Sequence, residues 1–373
     1  MNVKLKDVAS FAKGSQINGE DLLNDAKYVY LNGGVKPSGK WNDYNVESEA
    51  ITISEGGNSC GYVNFMKEPF WCGAHCYFLY NVRGNKKYLY YALKSQQNRL
   101  MKLRSGACMP NIKKSDLGNF TFAYEDNIEK QEDIVRRLDH LEICIDLLQE
   151  ELGRLDLLVK SRFVGMFGEL RLNSMAWDEY PLGLICDKVV RYPTFYGMEY
   201  LPSGTRVIRI GNILPDGHME LDDENYVFVY DTVNEDFPET VIELNDIIMA
   251  VRGDGSAAKR IGIVTEPNLI DANISPNLIR IKVNNAMLNP IYMFYYLTGE
   301  VGQKRLDAYV NKTAKKNIAA KDIVKIVTPV PPLPLQNDFA AFVREIDKSK
   351  LAVKESLEKL EILKKALMQQ YFG

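Results

Sequence analysis

Residues 152–168, LGRLDLLVKSRFVGMFG, are echoed 205 positions later by the last 17 residues of the chain, LEKLEILKKALMQQYFG (357–373). Extended backwards without a gap, 130–168 matches 335–373 at the same offset: Gln131 falls on Gln336, Leu138 on Val343, Leu152 on Leu357, Leu155 on Leu360 and Leu158 on Leu363. In the first copy Leu138, Leu141, Ile145, Leu148, Leu152, Leu155 and Val159 alternate steps of three and four residues. That is the a/d seam of a coiled coil. The second copy keeps Ile346, Val353, Leu357, Leu360 and Leu367 and puts Lys350 and Lys364 on seam positions. There the lysine stems are expected to lie along apolar surface with the ammonium in solvent.

Each stretch predicts a helix of about 35 residues, roughly 50 Å at 1.5 Å per residue. A lone helix of that length would leave an apolar stripe in water, so the two copies are expected to pack on one another. The rest of the stripe would be offered to other subunits. A homodimeric coiled coil is the plainer alternative.

The echo continues upstream. PNIKKSDLGNFTF (110–122) aligns with KNIAAKDIVKIVT (316–328), YLYYALKS (88–95) resembles IYMFYYLTG (291–299), and KYVYLNGGVKPSG (27–39) resembles TRVIRIGNILPDG (205–217). VKLKDVASFAKG (3–14) parallels YPLGLICDKVVR (180–191). The chain therefore reads as one unit written twice, a mixed α/β (α+β) domain followed by a long helix. Its expected segments are 1–126, 127–172, 173–334 and 335–373. Asp126 or Asn127 is a plausible N-cap for the first helix, while TPVPPLPLQ (328–336) gives the second an extended, proline-fixed start.

At 373 residues the chain exceeds one typical core. No run of 18 apolar residues and no signal-peptide core occurs, so a cytoplasmic location is expected. Net charge is −3, and 1–126 is the one markedly basic segment, with 16 Lys/Arg against 12 Asp/Glu. Any nucleic-acid contact must come from local clusters. Cys72 and Cys76 flank His75, yet no second Cys or His pair stands at zinc spacing, and WCGAHCYFLY reads as a buried strand.

Three stretches imitate catalytic motifs and each lacks a needed residue. Asn289-Pro290-Ile291-Tyr292 is short of the second proline of a base-flipping methyltransferase loop, and no glycine loop for a methyl donor lies upstream. Pro215-Asp216 with Glu220 and Asp222 has an aspartate where a nuclease core needs lysine. Arg252-Gly253-Asp254-Gly255-Ser256 has no G-K-[ST] ending. The last instead shares small, polar character with Glu55–Cys60, which suits close approach to a DNA backbone or simply a hairpin turn.

Basic and polar side chains gather in loop-like stretches: Lys13, Gln16, Lys36, Lys102, Arg104, Lys113 and Lys114 in the first unit, and Arg191, Tyr192, Tyr196, Arg252, Ser256, Lys259, Lys312, Lys315 and Lys316 in the second. Such residues contact phosphates and base edges, or serve as solvated surface.

The duplicated layout, the TPVPPLPLQ lead-in and the endings SRFVGMFG and ALMQQYFG resemble the specificity (S) subunit of type I restriction-modification systems. This resemblance implies two target recognition domains, each reading one half of a split sequence on double-stranded DNA. It implies two long helices forming an antiparallel coiled coil that separates the readers, with the seam leucines also serving subunit docking. It implies two methyltransferase (M) subunits docked on the helix-bearing halves, with restriction/translocase (R) subunits joining through them. The chain would hold no cofactor or metal and would not be an enzyme; S-adenosylmethionine, ATP and Mg would sit on the partners. Unlike the family pattern, this chain has no prolines before its first helix. A duplicated scaffold without a DNA role and a degenerate methyltransferase or nuclease remain as other classes.

Overall fold

The computed structural model describes residues 1–106, 110–191, 199–251, 260–310 and 317–373. The first half runs β1 (Asn2–Lys4), α1 (Leu5–Val8), β2 (Ser10–Lys13), β3 (Tyr28–Leu31), β4 (Gly39–Trp41), β5 (Ala50–Ser54), β6 (Val63–Met66), β7 (Phe70–Cys72) and β8 (Cys76–Tyr80). It continues with α2 (Lys86–Ser95), α3 (Gln97–Met101), α4 (Lys114–Gly118), β9 (Thr121–Ala123) and the long helix α5 (Ile128–Phe167). The second half runs β10 (Glu179–Pro181), α6 (Leu182–Ile185), β11 (Cys186–Arg191), β12 (Thr205–Ile208), β13 (Val227–Val229), α7 (Val233–Asp236), β14 (Ile247–Ala250) and β15 (Ile261–Ile263). After these come β16 (Asn273–Ile274), β17 (Leu278–Val283), α8 (Pro290–Thr298), α9 (Glu300–Asp307), α10 (Ala320–Ile323), β18 (Val327–Pro329) and the long helix α11 (Leu333–Phe372).

The halves repeat sheet by sheet. An antiparallel sheet ordered β2-β8-β5-β6 recurs as β11-β17-β14-β15. A small sheet β4-β3-β7, with β3 and β7 parallel, recurs as β13-β12-β16, with β12 and β16 parallel. Ribbons β1-β9 and β10-β18 close each domain just before its long helix. The sequence explains the centres of the larger sheets: AITIS of β5 is buried at every position, as is IIMA of β14. Runs of β-branched and apolar residues suit strands paired on both sides.

The chain divides into two compact units, 1–151 with 352–373, and 152–351. Each unit therefore takes part of both long helices. In the first, Lys364 pairs with Glu142 at 2.8 Å; in the second, Lys350 pairs with Asp156 at 2.6 Å. Moving forward along α5 from Glu142 to Asp156 means moving back along α11 from Lys364 to Lys350 by the same number of residues, which is antiparallel pairing. These two lysines differ from the expectation of solvated ammonium groups, because acids on the facing helix meet them on the seam. All the other seam residues are buried or half-buried, including Leu138, Ile145, Leu152, Val159, Val353 and Leu357.

Both helices are 40 residues long, about 60 Å at 1.5 Å per residue. Asn127 caps α5, its Oδ1 accepting the Lys130 N–H at 3.0 Å. At the other end Gly168 (φ +72°) closes the helix through its N–H on the Val164 carbonyl, and a Cβ there would meet Ser174 Oγ at 2.6 Å. Only glycine suits that position. Phe167 and Phe372 are buried, Phe167 against Tyr292 of α8 (ring centroids 4.7 Å) and Phe372 against Tyr88 of α2 (5.3 Å). The repeated Phe-Gly ending is thus an anchor, and each copy of the long helix anchors on the domain of the other copy.

One stretch departs from its reading. WCGAHCYFLY is a strand, a turn and a strand rather than one buried strand: Gly73 donates to Leu31 O, and the Asn32 side chain accepts from the His75 N–H at 3.0 Å. Cys72 and Cys76 are buried, whereas the turn leaves the His75 side chain 65% exposed.

Candidate nucleic-acid interface and duplicated grooves

In the first unit, loops far apart in sequence converge on one end of the four-stranded sheet. Lys13 ends β2 and pairs with Glu55, the residue after β5. Glu55 O accepts the Ile112 N–H at 2.9 Å, and Gly57 N–H donates to Pro110 O at 3.0 Å, joining the Gly-rich turn to the 102–114 segment. Ser105 and Asn111 exchange backbone hydrogen bonds across that segment, which presents Lys102, Arg104, Lys113 and Lys114 as exposed side chains. Gln16, also exposed, accepts from Asn32 Nδ2 at 3.2 Å, and Ser59 Oγ donates to Gly33 O at 2.6 Å. Lys36 is exposed on the turn after β3.

Asn32, Glu55, Ser59 and His75, whose Nδ1 lies 3.7 Å from Glu55 Oε2, organise this end of the sheet. Glu55 and Ser59 belong to the small, polar stretch noted in the sequence and His75 to the Cys72–Cys76 stretch, whereas Asn32 was not singled out: its only signal was its place beside Gly33, in a turn whose contacts lie at long separation. Tyr77, next to Cys76 on β8, has its phenol pushed up to about 12 by burial and then by Glu55, so it stays a neutral donor, to Ile112 O at 3.1 Å.

The second unit repeats the framework. Arg191 ends β11 and its Nε donates to Pro276 O at 2.9 Å; Val251 N–H donates to Asn277 O and Val251 O accepts from Ile318 N–H. These bonds gather the residues flanking three loops at the corresponding end of the sheet β11-β17-β14-β15. Tyr192, Tyr196, Arg252, Ser256, Lys259, Lys312, Lys315 and Lys316 lie outside the described residues. The Asn289-Pro290-Ile291-Tyr292 stretch is a helix start: the Asn289 side chain caps α8 by accepting the Ile291 N–H at 2.9 Å, with proline in the first turn.

The start of each long helix is locked by the same device. Gln131 Oε1 accepts the Asn85 N–H at 2.8 Å, and Gln336 Oε1 accepts the Asn289 N–H at 2.8 Å. Both glutamines are buried.

A groove is duplicated as well. In the first unit, one of about 550 Å³ lies beside the end of α11; in the second, one of about 1300 Å³ lies beside the end of α5. Every position of the two long helices and their terminal glycines that lines the smaller groove has its repeat partner in the larger: Ile145 with Lys350, Glu361 with Asp156, Lys364 with Val159, Lys365 with Lys160, Met368 with Phe163, Gln369 with Val164 and Gly373 with Gly168. Among the described residues there is no group of three or more His, Cys, Asp or Glu that could hold a metal ion, and no helix long and apolar enough to cross a membrane.

Comparison with known proteins agrees with this architecture. Residues 1–156 match the family described as the type I restriction modification DNA specificity domain. A protein named as a type I specificity subunit of Mycoplasma pneumoniae is 37% identical over 141 residues, 37% of this chain and 37% of that protein. The specificity subunit of the type I restriction enzyme EcoBI from Escherichia coli is 25% identical over 187 residues, 49% of this chain and 36% of its own length. The matched stretches thus span about a third of these relatives. The crystal structure of a type I restriction-modification S subunit from M. genitalium superposes with a TM-score of 0.66 at 22% identity, covering 100% of this chain and 96% of that one. The first 156 residues are thus matched by the type I specificity-domain family, and the whole length shares the fold of an S subunit.

Proposed function

We propose that the chain is the non-catalytic DNA-recognition subunit of a type I restriction-modification complex, each unit reading one half of a bipartite target. The observation that carries this reading is the repetition of one sheet order in both units, with the residue after the central strand accepting from an isoleucine N–H in each, Glu55 from Ile112 and Val251 from Ile318. A duplicated reader suits two half-sites, because each framework can present side chains to one groove segment while the bases between go unread.

Lys13, Gln16, Lys36, Lys102, Arg104, Lys113 and Lys114 are the proposed contacts of the first half-site, and Arg191, Tyr192, Tyr196, Arg252, Ser256, Lys259, Lys312, Lys315 and Lys316 those of the second. Lysines serve phosphates, while Gln and Arg suit base edges. The proposed boundaries are 1–126 and 173–334 for the readers and 127–172 and 335–373 for the helices, which set the spacing. Two methyltransferase chains dock on the helix-bearing halves, and restriction subunits join through them. Methyl donor, ATP and Mg belong to those partners, and the complex works in the cytoplasm.

Co-expression with its methyltransferase and genome-wide mapping of methylated bases tests the reading. A split motif with two fixed halves is the expected result; a stable complex that methylates nothing would favour a scaffold without a DNA role.

A further inference from the structure

Cys72 ends β7 and Cys76 begins β8, and both are buried, at 0% and 1% exposure. The turn between them brings the two backbones side by side: the successive N–H groups of Gly14 and Ser15 donate to the Cys76 and Cys72 carbonyls at 3.4 and 2.9 Å. Cys72 Sγ lies 3.4 Å from the Cys76 carbonyl oxygen, and its thiol hydrogen-bonds the Cys76 sulfur. Two sulfurs in contact within one turn need little movement to join.

The surroundings single out Cys76 as the reactive member. Thr52 on β5 is 1% exposed, and its hydroxyl, which has no nitrogen or oxygen partner, turns to the Cys76 sulfur. The Gly33 N–H points there as well. Donation by the Cys72 thiol, opposed by burial and helped by Thr52 and Gly33, lowers the Cys76 thiol from its ordinary 9.0. The same hydrogen bond, and then burial, raises Cys72. One sulfur is thus held as the nucleophile and the other as its proton donor.

The turn is tied to the candidate DNA face. His75 O accepts the Glu55 N–H at 2.9 Å, and Glu55 pairs with Lys13. The His75 N–H donates to the Asn32 side chain, which in turn donates to Gln16. A change in the turn therefore reaches both Lys13 and Gln16.

We propose that Cys72 and Cys76 are a reversible oxidation site for a hydroperoxide, and that closing their disulfide weakens the first unit's contact with DNA. The second part rests on the DNA-reading proposal. The Cys76 thiolate attacks one peroxide oxygen, the O–O bond breaks, and the leaving oxyanion takes a proton, which makes Cys76 a sulfenic acid. The Cys72 sulfur then attacks the Cys76 sulfur, the S–O bond breaks, and hydroxide leaves as water with the Cys72 proton. Two thiols are oxidised to one disulfide, and the peroxide is reduced to an alcohol or water and a second water.

Treatment of the full chain with limiting hydrogen peroxide, followed by peptide mass spectrometry, tests the site. The expected product is a Cys72–Cys76 bridge, two hydrogens lighter, formed while the exposed Cys144 is still a thiol and reversed by dithiothreitol. Cys72→Ser should leave Cys76 as a sulfenic acid that dimedone traps, whereas Cys76→Ser should leave Cys72 unoxidised. Thr52→Val, which keeps the side-chain shape, should slow closure several-fold, and circular dichroism checks that each variant folds. Oxidation of Cys144 with the pair left as thiols, or dimedone trapping at Cys72 in place of Cys76, would overturn the site.

The bridged chain, freed of peroxide and assembled with its methyltransferase, should methylate DNA several-fold more slowly than the reduced chain. The double variant Cys72→Ser with Cys76→Ser, treated alike, should show no such loss. A bridged chain that methylates at the reduced rate would overturn the coupling to DNA. A reduced complex that methylates nothing would count against the DNA-reading proposal instead and leave the disulfide standing.

Discussion

Gln131 and Gln336 show how one buried amide fixes a junction. Each accepts from the asparagine N–H that starts a short helix, and each donates to a carbonyl just upstream, Glu125 for Gln131 and Pro331 for Gln336. Replacing either with alanine strands buried donors and acceptors, a cost of about 1–3 kcal/mol per unsatisfied group. Gln336→Ala should therefore lower the thermal stability of the second unit and speed exchange of the Asn289 amide. The pairing of the two glutamines was legible in the sequence. Their partners were not, because 46 and 47 residues separate donor from acceptor.

A second buried network was invisible for the same reason. Arg280, 1% exposed, donates to Asp246 at 2.6 Å, to Glu243 at 2.7 Å and to the Glu239 carbonyl. Arg280→Met should cost about 3 kcal/mol by leaving Asp246 buried without its partner, and adding Asp246→Asn should recover part of it; denaturant titration reads both. Glu243 is held below the ordinary 4.5 by its Lys282 hydrogen bond and then by Arg280. Its folded value lies below its unfolded one, so it stabilises above about pH 4.5 and ceases to as pH falls through the folded value. Burial outweighs Arg280 at Asp246 and raises its carboxyl, so that group favours the fold most at low pH and less as pH rises. Acid titration of Lys282→Met should show a smaller loss of stability below about pH 4.5 than the wild type shows.

At the scale of elements, the long helices are held by their ends as well as by their seam. Phe372 is 2% exposed against Tyr88, and Gln96 Nε2 donates to its carbonyl at 2.9 Å. Phe372→Ala should cost about 3–5 kcal/mol and release the last turns of α11, seen as faster amide exchange near residue 370. The 3-4 spacing showed where the seam lies. It could not show that Lys350 and Lys364 meet Asp156 and Glu142, because the facing charges depend on the antiparallel register. Nor could it show that each helix anchors on the other copy's domain: the Phe-Gly ending is local, whereas Tyr292 lies 125 residues after Phe167 and Tyr88 lies 284 residues before Phe372. The basic clusters were legible as composition, while the turn that unites Lys13 with the 102–114 segment runs through Glu55, an acid that a search for cations passes over.

For the whole molecule, duplication explains the economy of the design: one domain, one junction and one groove, each written twice and then allowed to diverge. Contacts by lysine to phosphates carry little sequence information. Lys113→Ala should therefore weaken DNA binding by the assembled complex about equally on all sequences and reduce the salt slope by about 1. Sequence choice should instead travel with each reader as a block. Exchange of residues 1–126 for the corresponding segment of another specificity subunit, followed by mapping of methylated bases, tests this directly. The account predicts that one half of the split motif changes while the other half and the number of unread bases stay the same; alteration of both halves, or of neither, would contradict it.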